Sequence, residues 1–389
     1  MTEEQKASPT TQLFIENLPL REHIGGDDCY MDAIPVDILV SLKVGSPTPP
    51  LSSRVSALKH LILSCPRLEE FHYQDRGQGT RFRFDQGERM PALKDLVLKS
   101  YDWNHTRNDV LQHWDFSRLT SLELISVPSF NFLKSVPFSN FANLRNLNVQ
   151  DYSVHLPDRR YEATRELCTL VHGHIRALES LLLTCHVEAF LLDSIIRHSA
   201  SLQVLSLRDY VGFGDEFRRC PTIQPTSVSL MARTATRIHT LELDMDITRV
   251  DPRRFLRALS EFPRLTQLTL HVQTLVNSMM DEAASPPMPC GIGAMGDRDR
   301  DAAVQIFTAL VSNRERRQPD IPPWLRITIN VGGWRRVMIR RLSAAWRQLN
   351  ERGIFAERCF VLRRLPDGLY SMREEESIET WSNRTTPEP

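Results

Sequence analysis

Leu93-Lys-Asp-Leu96-Val-Leu98 decides the reading of this chain, because near copies of it recur along most of the length. The same spacing appears earlier as Leu39-Val-Ser-Leu42-Lys-Val44 and Leu68-Glu-Glu-Phe71-His-Tyr73. It returns at Leu119/Leu122/Leu124, Leu144/Leu147/Val149, Leu178/Leu181/Leu183, Leu202/Leu205/Leu207, Ile238/Leu241/Leu243 and Leu265/Leu268/Leu270. The starts lie 29, 25, 26, 25, 34, 24, 36 and 27 residues apart. A repeat of that length predicts short units that cannot bury their apolar faces alone and must stack on neighbours.

Between phrases the apolar period changes from 2 to about 3.6, the helical value. Val55, Leu58, Leu61 and Ile62 follow it, as do Leu167, Leu170, Val171 and Ile175, then Phe190, Leu191, Ser194 and Ile195. Phe255, Leu256, Leu259 and Phe262 make a further stripe, opened by Asp251-Pro252 in the order of an N-cap and first turn. One strand and one helix per unit is the pattern of the larger leucine-rich repeats. The expected fold is therefore an α/β leucine-rich-repeat solenoid. A curved parallel sheet would line its concave side, helices its convex side, and a C-terminal α/β cap its open end.

The boundaries follow from composition. Residues 1–33 are polar and aperiodic and read as a loosely ordered arm; 34–276 hold the array. The long intervals imply larger loops near Val154–Arg159 and Gly212–Thr226. Residues 277–301, rich in Met, Pro and Gly, read as a flexible loop. Residues 302–364 read as a capping segment with a helix at Ala302–Val311, a strand at Leu325–Val331, a helical stripe over Met338, Leu342, Ala345, Trp346 and Leu349, and a strand at Arg358–Arg364. Residues 365–389 read as an acidic, disordered tail. The chain as a whole balances 48 basic against 48 acidic residues, yet Arg298–Arg364 alone holds 15 arginines, no lysine and 6 acids.

No run approaches the roughly 18 apolar residues of a membrane span, and Met1-Thr-Glu-Glu-Gln-Lys lacks a signal-peptide pattern. Seven cysteines without a CxxC pair argue against a disulfide framework. These features predict an intracellular protein, cytoplasmic or nuclear. The sequons at Asn104 and Asn383 are then chance matches.

The Ser64-Cys65-Pro66-Arg67-Leu68-Glu-Glu-Phe71 phrase, within irregular repeats, resembles the F-box/leucine-rich-repeat proteins, particularly their fungal members. The likeness covers roughly residues 39–276, with a weaker echo in Arg358–Gly368. It implies a substrate receptor of a cullin–RING ubiquitin ligase, with the concave repeats holding the target protein. Ile34-Pro-Val-Asp-Ile-Leu39 imitates the opening of an F-box, but no Cys-Arg-x-Trp type phrase closes one. Leu39–Val44 reads as a first repeat strand; a degenerate F-box, which would bring in the ligase adaptor as partner, stays open. The family's Asn or Cys eight residues after each phrase start is replaced by Arg76, Tyr101, Val127, Tyr152, His186, Tyr210, Asp246 and Gln273.

No constellation predicts catalysis, a cofactor or a metal. Gly291-Ile-Gly-Ala-Met-Gly296 follows Pro-Pro-Met-Pro-Cys, which cannot form the strand that a dinucleotide site needs. Cys168, His172, His174 and Cys185-His186 read as packing residues, and Asp244-Met-Asp246 as a solvated rim. The candidate protein-binding surface is the outward strand row His72, Glu123, Asn148, Leu182 and Ser206. Tyr101, Trp103, Tyr152 and Tyr210 would form an aromatic rim beside it, of the kind that supplies hot spots; packing between turns is the competing reading. Trp324, Trp334 and Trp346 interleave with Arg326, Arg335, Arg336, Arg340, Arg341 and Arg347, as in an RNA surface. An arginine face paired with acids of the array or tail is the expectation there, and nucleic acid is not the expected partner.

Overall fold

A computed structural model describes residues 11–20, 30–47, 54–150, 157–209, 221–246, 249–272, 298–316, 321–331 and 358–375. It is mixed α/β and built on mostly parallel sheet. The chain divides into two compact units, Met1–Ser180 and Leu181–Pro389.

In the first unit the strands are β1 (Leu13–Pro19), β2 (Leu39–Gly45), β3 (Glu70–Gln74), β4 (Asp95–Lys99), β5 (Ser121–Ile125) and β6 (Asn146–Gln150). Each pairs parallel to the next in chain order. Such a parallel step needs a crossover, supplied by α1 (Val55–Leu63) after β2, α2 (Arg107–His113) after β4, and α3 (Ser129–Ser135) after β5. After β6 the chain continues through α4 (Arg160–Thr169) and a π turn at Leu170–His174. Register explains why the phrase carries the fold: Leu42, Phe71, Leu96, Leu122 and Leu147 lie level on successive strands, and all are buried. Val44, Tyr73, Leu98, Leu124 and Val149 form the next layer. Each such side chain is worth roughly 1.5–3 kcal/mol of burial, available only because a neighbour covers it. The first leucine of each phrase here, at Leu68, Leu93, Leu119 and Leu144, is buried just ahead of its strand.

Between β3 and β4 the crossover is a loop instead of a helix. It is tied at its start by the buried Asp75 carboxylate, which accepts from the backbone N–H of Gly77, Gln78 and Thr80 at 2.8, 2.6 and 2.6 Å. Phe82 and Met90 of this loop are buried.

The second unit begins at β7 (Ser180–Cys185) and continues through α5 (Leu192–Ile196), β8 (Val204–Asp209), α6 (Pro225–Thr234), β9 (Thr240–Met245), α7 (Pro252–Leu259) and β10 (Gln267–Val272). Then come α8 (Arg298–Glu315), β11 (Arg326–Val331), β12 (Arg358–Arg364) and β13 (Tyr370–Glu375). Strands β8 to β11 are parallel; β11, β12 and β13 are antiparallel. Leu205, Leu241, Leu268 and Ile327 form a buried layer at one register. As the sequence predicts, Asp251 caps α7, accepting from the N–H of Arg253 at 2.9 Å and of Arg254 at 3.4 Å, with Pro252 in the first turn.

Several expectations need correction. Residues 13–19 form β1, an edge strand within what reads as a loose arm, and Tyr30–Ala33 a 3-10 turn. The strand's irregular pairing and its Asn17 at φ 58 hide it from a period count. Helix α8 starts at Arg298, inside the expected flexible loop, and runs on to Glu315. Tyr370–Glu375, expected as disordered tail, closes a hairpin with β12, and Glu375 pairs there with Arg326 and Arg363. Leu191, expected on a buried stripe, is exposed at the N-cap of α5. The stripe from Met338 to Leu349, the glycines at 291–296 and the loop residues 151–156 and 210–220 lie outside the described residues. Among the described residues no helix is long and apolar enough to cross a membrane.

Candidate recognition surface

Alternation puts every second strand residue on the face away from the leucines, and the register shows them aligned. In the first unit Lys43, His72, Val97, Glu123 and Asn148 stand level on β2 to β6. All five are partly exposed. Lateral contacts link the face: Lys43 Nζ to Glu16 Oε1 at 2.6 Å, His72 Nε2 to Asp95 Oδ1 at 3.3 Å, and Lys99 Nζ to Glu123 Oε1 at 3.2 Å. Asn148 donates to Glu123 Oε2 at 3.0 Å, and Gln150 donates to Asn148 at 2.9 Å. The result is a polar ladder with Val97 and Ile125 as its apolar members.

In the second unit Ser206, Glu242 and Thr269 stand level on β8, β9 and β10. Leu182, half-buried on β7, is the apolar member here. The polar network is denser than in the first unit. Glu242 accepts from the Ser206 hydroxyl at 2.7 Å and lies 2.7 Å from His271 Nε2. Arg208 Nε donates to Asp244 Oδ1 at 3.1 Å, and its Nη1 lies 3.8 Å from Glu242. Asn330 Nδ2 sits 3.2 Å from His271 Nδ1. Desolvation pushes the Glu242 carboxyl upward, but the His271 hydrogen bond and charge, the Arg208 charge and the Ser206 hydroxyl outweigh it and bring it down to about 2. Glu242 is thus a fixed negative charge, held in place from three sides. Sequence reading placed Ser206 on this face and took Asp244 for rim, but did not single out Arg208, His271 and Asn330. Their signal was present: each lies two residues beyond a central-row position, hence on the same face.

The aromatic rim is a correction. Tyr101 and Trp103 are both 0% exposed. Tyr101 Oη accepts from Phe82 N–H at 2.8 Å and meets His105 Nε2 at 2.9 Å. Trp103 Nε1 donates to Ser135 Oγ at 2.9 Å, and its ring packs on Phe132 and Trp114 at 4.7 and 4.9 Å. The physical cause is Ser100, whose φ of 55 turns the chain after β4 so that the next side chain enters the core. Ser126 does the same after β5 with φ 54 and sends Val127 inward. Tyr152 and Tyr210 lie outside the described residues.

Asp244 and Asp246, read as a solvated rim, are buried. Asp244 takes the Arg208 ion pair and the N–H of Asp209 at 2.8 Å, while the Asp246 N–H donates to Thr222 at 2.8 Å. Trp324, expected in an arginine-rich surface, is buried beneath the Arg314 guanidinium at 4.2 Å. Arg326 pairs with Glu375 at 3.3 Å, and Arg363 pairs with it too, so these arginines face the acids of β13. Trp334, Trp346, Arg335, Arg336, Arg340, Arg341 and Arg347 lie outside the described residues. Of the residues read as packing, Cys168 is buried on α4 and Cys185 at the end of β7, whereas His172 and His174 are exposed and His186 is half-buried.

Comparison with family models, with curated proteins and with solved structures returned no match for this chain.

Proposed function

We propose that the chain is a non-enzymatic protein-recognition scaffold of the leucine-rich-repeat kind, similar to the target-binding part of F-box/leucine-rich-repeat ubiquitin-ligase receptors. One observation carries this reading: within each unit, side chains unlike one another are held at one register on the face opposite the leucines. The leucine face repeats one chemistry, as packing demands. The outward face runs Lys, His, Val, Glu, Asn and then Ser, Glu, Thr, a sequence of polarity that packing does not require. A partner would meet positioned donors and acceptors, with Val97, Ile125 and Leu182 as its apolar contacts. The lateral pairing lowers the entropy that such side chains lose on binding.

The scaffold reading does not depend on a ligase. Ile34–Leu39, the imitation of an F-box opening, forms a short 3-10 turn at Val36–Ile38 and runs directly into β2. A strand at that point supports the repeat reading over a degenerate F-box. A ligase link therefore needs an adaptor contact of its own.

Affinity capture with mass spectrometry, followed by binding of the recovered protein to purified chain, tests both parts. Glu123→Lys with Asn148→Ala should weaken a face-bound partner by at least about 1 kcal/mol and leave melting unchanged. Unchanged binding moves recognition off this face. Recovery of the adaptor together with a cullin supports the ligase role, and a partner set without them favours the plain scaffold.

A further inference from the structure

One row of the first unit's outward face has a composition that packing does not ask for. Phe14, Ser41, Glu70, Asp95 and Ser121 are register partners on β1 to β5. Adjacent strands lie about 4.8 Å apart, so the Glu70 and Asp95 side chains leave the sheet next to each other. Both are partly exposed. Like charges at that spacing repel, and on a face turned away from the leucines nothing in the core compels them. At the edge of the same row stands Phe14, 56% exposed, and Ser41 between it and Glu70 is 1% exposed. The ring therefore borders a low step that leads to two carboxylates.

The cations of this face are committed elsewhere. Lys43 Nζ closes on Glu16 at 2.6 Å and Lys99 Nζ on Glu123 at 3.2 Å. At the end where the strands begin, Lys94 Nζ and Arg118 Nη2 both close on Glu69, at 2.7 and 3.5 Å. Glu70, by contrast, makes no hydrogen bond or ion pair among the described residues. Asp95 meets His72, whose Nε2 lies 3.3 Å from Oδ1 without completing a hydrogen bond. A protonated His72 would answer one carboxylate of the two and leave Glu70 as it is. The row thus offers adjacent acceptors with an exposed aromatic beside them, the pairing of charge and ring that holds an ammonium or guanidinium.

We propose that this row docks a basic segment of a partner protein, with a lysine or arginine head on Glu70 and Asp95 and apolar contact on Phe14. Phe14 lies two strands from Glu70, roughly 10 Å, so the ring covers the stem of the basic residue or its neighbour in the segment. The proposal rests on the recognition reading of this face and adds the chemistry of the partner. Docking replaces repulsion between two carboxylates with attraction to one cation.

The test pans a random peptide display library against full-length chain and measures the enriched peptides on variants by fluorescence anisotropy. Binders should be rich in lysine and arginine and should weaken as salt rises. Glu70→Gln and Asp95→Asn should each weaken them by about tenfold, and Phe14→Ala by about threefold. With the like-charge contact relieved, Glu70→Gln should melt no lower than wild type. Asp158→Asn, the same loss of charge on an exposed turn off the strands, should leave binding unchanged. Affinity that falls equally in Asp158→Asn reduces the effect to net charge and overturns the proposal, as does a library that yields no basic binder or a destabilised Glu70→Gln. Binders that respond to Glu123→Lys but not to Glu70→Gln overturn it and leave the recognition reading of the face standing. Binders that respond to neither variant remove both.

Discussion

Replacing Trp103 by alanine separates its two readings as core residue and as exposed rim. In the structure the side chain is 0% exposed, with Phe132, Trp114 and His105 at 4.7, 4.9 and 4.9 Å and its N–H on Ser135. Truncating a buried tryptophan costs about 3–5 kcal/mol from lost transfer and the cavity left behind. The aromatic pairs, each worth about 0.5–1.5 kcal/mol beyond area, place Trp103→Ala at the upper end. In a unit that ends at Ser180, about 2–4 °C accompanies each kcal/mol, so melting of that unit should fall by at least about 6 °C. Ser135→Ala gives an independent handle. It strands the buried indole N–H and should cost about 1–3 kcal/mol, although the serine touches no outer surface. Urea unfolding followed by far-UV circular dichroism measures both. A Trp103→Ala chain within about 1 kcal/mol of wild type that has lost affinity for its partner would refute the buried placement and restore the rim.

The Glu242 carboxyl is lowered from 4.5 to about 2, so its contribution is complete above about pH 4.5 and is lost as pH falls toward 2. The shift corresponds to at most on the order of 3 kcal/mol; urea unfolding of Glu242→Gln should lose stability less steeply over that window, and parallel curves would exclude Glu242 as the source. Leu122→Asp or Leu205→Asp places an unpaired charge in a leucine layer and should cost about 4 kcal/mol or more; near-wild-type melting of either would mean the inward register is wrong. At Ser100, φ 55, glycine should exceed alanine in stability by about 1 kcal/mol, because a Cβ is strained in left-handed backbone. A more stable Ser100→Ala than Ser100→Gly would remove the turn that aims Tyr101 inward.

The strands were legible because their signal is local. Leu96 and Leu98 are two apart, their neighbours Val97 and Lys99 face the other way, and the same parity holds on every phrase. A face assignment made from parity survives whatever packs above it, which is why His72, Glu123 and Asn148 fall at one register as counted. The rim failed because parity was carried one step too far. After Lys99 the chain does not stay extended; Ser100 turns left-handed, and Tyr101, eight residues into the phrase, goes inward. Val127 follows the same turn at Ser126, whereas Arg76 at the same position is exposed and His186 half-buried, so the position itself does not fix the direction and the local turn does. Trp103 had no local signal. Its burial depends on the ring cluster around Phe132 and Trp114, which belongs to two crossovers and to no single period. Glu374 and Glu375 looked like tail because acids in a row repel in water, yet Glu375 pairs with Arg326 and Arg363 and the segment closes a hairpin. Charge sign read along the chain says little until the strand across from it is known, and the outward faces of both units are built from such pairings.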